Sequence, residues 1–226
     1  MRTALVQLLL IVLLCIHGAT FGQETEALPS FGNESLRKEL LSLEQREQDA
    51  RKEMLARLGE AGISMTDGKP ISDPKILEII KTETEKLTKI DTSNQTRLKE
   101  ILKAHGWPGK SIVGEDGAHA AWIIAQHADS DPAFQRECLS LMKESPKGEV
   151  TGKSVAYLTD RILVGEKKAQ RYGTQLGPNF VPLPIEDEEL VDARRADLEL
   201  PPLSKYIEYA KAEYAKLTMP AENKGK

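Results

Sequence analysis

The stretch EDGAHAAWIIAQHA, residues 115–128, constrains the fold more than any other. At about 100° per residue, Ala118, Ala121, Trp122, Ile123, Ile124, Ala125 and Ala128 surround the helix axis and leave almost no polar face. A helix apolar all round can be stable in water only at the centre of a bundle. The rest of the chain must therefore supply amphipathic helices to surround it.

The pattern does so. Residues 34–58 carry Leu36, Leu40, Leu43, Ala50, Met54 and Leu58 on one stripe, and Gly59 and Gly62 stop it. Asp73 and Pro74 then read as an N-cap and a proline at the first helical position. From there Ile76, Ile80, Leu87, Leu98, Ile101 and Leu102 mark a helix to Ala104, ended by Gly106. These two long helices are expected to form an antiparallel hairpin; a coiled-coil arm is the alternative. Pro132 to Glu144 follows, with Phe134, Cys138, Leu141 and Met142 inward, and Thr151 caps a helix reaching about Val164. Between 166 and 185, Gly173, Gly177, Pro178, Pro182 and Pro184 forbid helix. This segment is expected to be irregular, or a short β-hairpin turning at Gly177-Pro178-Asn179. Two more helices, 188–198 and 204–217, are split by Pro201-Pro202. The expected fold is mainly α: one helical domain over 34–217, with a linker at 23–33 and a disordered tail at 218–226.

The first 22 residues read as a signal peptide. Arg2 precedes a short apolar run, Ala4 to Ile16, and Thr20 and Gly22 are small residues at −3 and −1 of a cut before Gln23. A spanning helix needs roughly 20 apolar residues, more than this run offers. An uncleaved anchor is the alternative, and a lipoprotein reading through Cys15 is disfavoured by Leu13 and Leu14 before it. Only Arg2 is lost among charged side chains, leaving 30 basic against 35 acidic, a net charge of −5. That balance argues against nucleic-acid binding. One cysteine, Cys138, remains, so no internal disulfide can form and packing alone must hold the fold. An exported protein, periplasmic or extracellular, is the reading this supports.

Function has to be sought in the polar residues that break these patterns. His105, His119 and His127 crowd into one stretch with Trp107 and Trp122, the only two tryptophans. His119 and His127 are eight residues apart, about 12 Å along one helix, too far to share a zinc ion. No H-E-x-x-H, C-x-x-C or G-x-S-x-G occurs, and no metal is assigned; a site built from His127, Asp129 and a distant partner is the alternative. His127, where its helix ends, can satisfy end carbonyls, or carry a proton near neutral pH with Asp129 orienting it. His105 has the same two readings, and with His127 it is expected to close one pocket walled by Trp107 and Trp122. Asp91 and Asn94 fall where the stripe of their helix calls for apolar residues, so they lie on an exposed twist or point inward and need partners. Asp160 and Arg161 diverge by about 100° on one helix and must look elsewhere for partners. An ion pair of Arg161 with Asp129, and a hydrogen bond of Asp160 to His105 or His127, are expected. Gln170, Tyr172 and Gln175 stand on irregular backbone, suited to recognising a sugar, peptide or carboxylate.

The motifs HGWP, QHAD, DR and YGTQ, in that order between about Thr88 and Tyr206, resemble an uncharacterised bacterial family, a domain of unknown function. The resemblance emphasises Asp91, Asn94, His105, Trp107, Gln126, His127, Asp129, Asp160, Arg161, Gln170, Tyr172 and Gln175, and omits His119. It implies no reaction and no ligand. Two readings therefore stay open. One is a binding or structural module of the cell envelope for a small polar ligand or an envelope component. The other is a hydrolase-like enzyme in which His127, with Asp129 and His105, transfers a proton and Arg161 or Tyr172 holds the substrate.

Overall fold

The computed structural model describes residues 32–63 and 71–218. The proposed signal peptide, residues 23–31 of the linker and the tail beyond 218 lie outside the described residues. Helix α1 (Glu34–Glu60) begins where the Asn33 side chain accepts from Leu36 N at 3.0 Å. Helix α2 (Pro74–His105) begins where Asp73 accepts from Lys75 N at 2.8 Å, with Pro74 at the first helical position. It ends at Gly106, whose φ of 72° is cheap only for glycine. Leu43 pairs with Asn94, Arg51 with Asp91 and Arg57 with Glu83, numbers running in opposite senses. The two helices are thus an antiparallel hairpin.

Helix α3 (Lys110–Gln126) is the central element expected from its sequence, and Ala120, Ala121, Trp122, Ile123, Ile124 and Ala125 are all buried. Its bounds differ from expectation. A helical turn precedes Gly114, which breaks the helix at φ 75°, and the helix stops two residues early, with His127 as its C-cap. Helices α4 (Pro132–Glu144) and α5 (Gly152–Gly165) follow, capped by Asp131 onto Phe134 N and by Thr151 onto Ser154 N, each at 3.0 Å. Helix α3 packs against α1, α2, α4 and α5.

No strand forms at 166–185. Single bridges join Gln170 to Ile185 and Leu176 to Pro182, and Pro178, Pro182 and Pro184, lacking N–H groups, deny a ladder its donors. The segment is irregular. The expected helix 188–198 is shorter: a 3-10 turn (Glu188–Leu190) leads into α6 (Val191–Ala196). Helix α7 (Leu203–Thr218) closes the fold.

The core is in two parts. The larger gathers Leu36, Leu40, Leu98, Ile101 and most of α3, α4 and α5, while a smaller one at the far end of the hairpin holds Ala50, Met54, Leu58, Ile80 and Leu87. Between them, on α1 and α2, lies a layer of buried polar side chains.

Candidate functional site

That layer centres on Glu47 and His127. Glu47 is fully buried (0% exposed) and His127 is 3% exposed. Glu47 Oε1 meets His127 Nδ1 and stands 3.0 Å from Arg51 NH1. Arg51, itself buried, also reaches Asp91 with NH2 at 3.1 and 3.0 Å from the two carboxylate oxygens. Asn94 donates to Leu43 O at 3.1 Å and accepts from Arg46 NH2. From the other side, Arg161 grips Asp129 bidentately, Nε to Oδ1 at 2.8 Å and NH2 to Oδ2 at 2.5 Å. Gln135 spans the two groups: its amide donates to Asp129 Oδ1 at 3.2 Å and to the α3-terminal carbonyls of Gln126 at 3.2 Å and Ala125 at 3.4 Å.

The electrostatics follow from burial. Loss of water pushes the Glu47 carboxyl up to about 7, against the pull of Arg51, Arg161 and an Asn94 hydrogen bond. The same burial, reinforced by Arg51 and Arg161, drives His127 well below its ordinary value, so the imidazole is neutral. Burial also raises Asp91 despite Arg51. For Asp129 burial is outweighed by Arg161, and the carboxyl is held below its usual range. A neutral imidazole and a carboxyl in contact through Nδ1 and Oε1 share one proton between those atoms. An ionised Glu47 requires Nδ1–H, which leaves Nε2 an acceptor. A protonated Glu47 donating to Nδ1 makes Nε2 a donor.

Several buried polar atoms here have no hydrogen-bond partner among the described residues: Glu47 Oε2, His127 Nε2 and both amide atoms of Gln126, with Trp122 Nε1 one turn earlier on α3. Trp122 lies edge-on to Tyr157 with centroids 5.9 Å apart, and Tyr157 packs likewise on Tyr206. His119 leans on the Trp122 ring at 5.1 Å, with Nε2 3.6 Å from Glu44 Oε1. Among the described residues, no three His, Cys, Asp or Glu side chains are grouped so as to hold a metal ion, and no helix is long and apolar enough to cross a membrane.

The residues singled out from the sequence thus divide. Asp91, Asn94, His127, Asp129 and Arg161 come together, with the expected Arg161–Asp129 pair present, while the neighbouring Gln126 amide is buried with no partner among the described residues. The end carbonyls of α3 are met by Gln135, while the His127 side chain turns to α1. His105 does not join it: this residue is exposed in the last turn of α2, about 16 Å along the helix from Asn94. Trp107 is buried beside that far end, so only Trp122 lies near. Asp160 bonds neither histidine. Its carboxylate collects the N–H groups of Arg171 at 2.7 Å, Tyr172 at 3.1 Å and Thr174 at 2.9 Å, plus the Thr174 hydroxyl at 2.9 Å. Gln170 braces the same loop, donating to Gln175 O at 2.9 Å and Leu183 O at 2.8 Å and accepting from Gln175 N at 2.8 Å. Gln175 donates to Thr174 Oγ1 at 3.0 Å, and Arg195 NH1 holds Tyr172 O. Asp160 and Gln170 spend their hydrogen bonds mainly on backbone, and the Gln175 amide spends its on the Thr174 hydroxyl; together they shape the 166–185 segment that closes over α5 and α7.

Glu47, Arg51, Arg46 and Gln135 were not anticipated. A signal for the first existed: Glu47 follows Leu43 by four residues and precedes Ala50 by three, so it interrupts the stripe of α1 as Asp91 and Asn94 interrupt that of α2.

Fold and site together define a small all-α bundle carrying a buried charge network between two apolar clusters. The chain belongs to the Family of unknown function (DUF6624), whose model matches residues 35–218. No curated protein and no solved structure matches it.

Proposed function

We propose that this chain is an exported helical binding module that takes a small polar ligand at the Glu47–His127 cluster. One observation carries the reading: Glu47 Oε2, His127 Nε2 and the whole Gln126 amide are buried and have no partner among the described residues. Each such group costs about 1–3 kcal/mol, and a ligand with matching donors and acceptors recovers that cost on binding. Export rests on the N-terminal sequence, and mass spectrometry of secreted material beginning at Gln23 tests it.

The binding site is tested by Gln126→Leu. If the amide serves a ligand, the substitution raises the stability of the free protein and abolishes the adduct that native mass spectrometry detects after exposure to a metabolite extract. If the amide belongs to a structural network, stability falls instead, and the reading fails.

The carboxylate-oriented imidazole favours a second reading. With Nδ1 on Glu47, His127 has the form of a general base whose Nε2 faces the reacting proton, Glu47 fixing the tautomer and steadying the imidazolium. Hydrolysis of an ester or amide panel that His127→Gln abolishes, and Glu47→Gln slows, would establish it. Absence of turnover leaves the binding reading alone.

A further inference from the structure

The buried layer has a neighbour open to solvent. Between α1 and α2 runs a groove of about 550 Å3, lined by Ser42, Gln45, Arg46, Asp49, Glu53 and Lys86 with Ala50 and Ile90 as its apolar floor. That volume falls within the range of small-molecule sites. Its charges are paired with one exception. Lys86 and Arg57 hold Glu53, while Gln45 and Lys52 hold Asp49. Arg46 alone, among the described cations of the groove, has no carboxylate partner. It is exposed, yet NH2 donates inward to the side-chain Oδ1 of Asn94, a residue 0% exposed. A guanidinium suited to bidentate carboxylate capture is instead parked on a neutral amide.

We infer that the α1–α2 groove binds the carboxylate of a small organic acid on Arg46, and that this groove is the approach to the buried cluster. Asn94 joins the two, since its Oδ1 accepts from Arg46 on the groove side while its fully buried side chain donates to Leu43 O within the polar layer. A carboxylate arriving at Arg46 competes with Asn94 Oδ1 for the guanidinium. Asn94 is then released to reorient against Glu47, and the change passes to His127. Ser42 and Gln45 supply uncharged hydrogen-bonding groups at the rim, and Ala50 and Ile90 accommodate the carbon chain. Asp49 and Glu53, already neutralised, do not repel the incoming acid strongly. The approach to His127 rests on the proposed function; the carboxylate site does not.

The test is a titration of the mature protein followed by NMR, using three four-carbon probes: succinate, neutral succinamide and cationic 1,4-diaminobutane. Succinate is expected to shift the Arg46 Nε–H and Asn94 side-chain amide signals saturably, and the other two to leave them unmoved. Arg46→Gln should weaken succinate binding by about tenfold or more, while Arg46→Lys, retaining charge but not the fork, weakens it less. Equal response to succinamide or diaminobutane, undiminished binding in Arg46→Gln, or no response overturns the carboxylate site. The His127 ring signals, read in the same titration, separate the two proposals. If Arg46 and Asn94 respond while His127 stays still, the acid site stands and its route to the cluster is overturned. If His127 moves only with other ligands, the buried cluster binds without the groove.

Discussion

Glu47 and His127 pull the pH dependence of stability in opposite directions. The Glu47 pKa rises from 4.5 to about 7 on folding. The folded state therefore holds its proton more tightly, and the stability this gives is full below about pH 4.5 and lost as pH rises through 7. His127 is depressed below 6.5. Its contribution is present above 6.5 and lost as pH falls. In the wild type the two offset each other in mildly acid solution. His127→Gln should leave the Glu47 effect alone, so that urea denaturation shows stability rising by up to about 3 kcal/mol between pH 7 and pH 4.5. A flat or opposite trend would show that Glu47 titrates normally. Nitrogen-15 shifts of the His127 ring should likewise report Nδ1–H above pH 7. Across the layer, Asp129→Asn and Arg161→Gln should prove non-additive by roughly 0.5–3 kcal/mol in a double-mutant cycle, as groups in bidentate contact do. Strict additivity would mean the pair carries no coupling.

At the scale of elements, α5 is tied to the irregular segment by Asp160 and packs closely on the end of α6 at its start. Asp160 gathers three backbone N–H groups of residues 171–174, and charge-assisted bonds of this kind are among the stronger ones. Asp160→Asn should cost about 2–3 kcal/mol and raise amide exchange at Arg171, Tyr172 and Thr174 without altering exchange in α1 or α2. Uniform exchange through the chain would show that the loop is not an independent dependent of Asp160. The start of α5 is just as confined. A Cβ on Gly152 would lie 2.4 Å from the backbone oxygen of Leu198. Gly152→Ala should therefore separate α5 from the end of α6 and destabilise by about 1–3 kcal/mol, read by thermal melting.

For the whole molecule, the polar layer divides the stability. Among the described residues, the smaller cluster of Ala50, Met54, Leu58, Ile80 and Leu87 is built by α1 and α2 with Ile63, Ile71 and, from α7, Tyr214 against it, whereas the larger one is surrounded by α3, α4, α5 and α7. Local opening follows the amount of apolar surface each region buries. Amide exchange at Met54, Leu58 and Ile80 should be faster than in residues 120–125 of α3. Equal protection would make the bundle one cooperative unit and the layer no boundary.

What the chain decides by itself is the set of helices. Period and caps act locally: Asp73-Pro74, Asp131-Pro132 and Thr151 satisfy orphan N–H groups within a turn of where they stand, and the all-apolar run before His127 has no stable place but the centre. The Arg161–Asp129 pair was also legible, since Arg161 and Asp160 diverge on one helix and each needed a partner elsewhere. Which partner each found depends on packing between distant segments. His127 turned to Glu47, 80 residues away, rather than to its own helix end or to His105, because α1 brings a buried carboxylate against α3 and no spacing rule relates the two. For Asp160 the sequence shows the need for a partner but points to histidine, because the N–H groups that meet it lie on backbone without regular structure, where no periodicity applies. Burial, which moves Glu47 and His127 from their ordinary protonation, exists only once the bundle has closed around them.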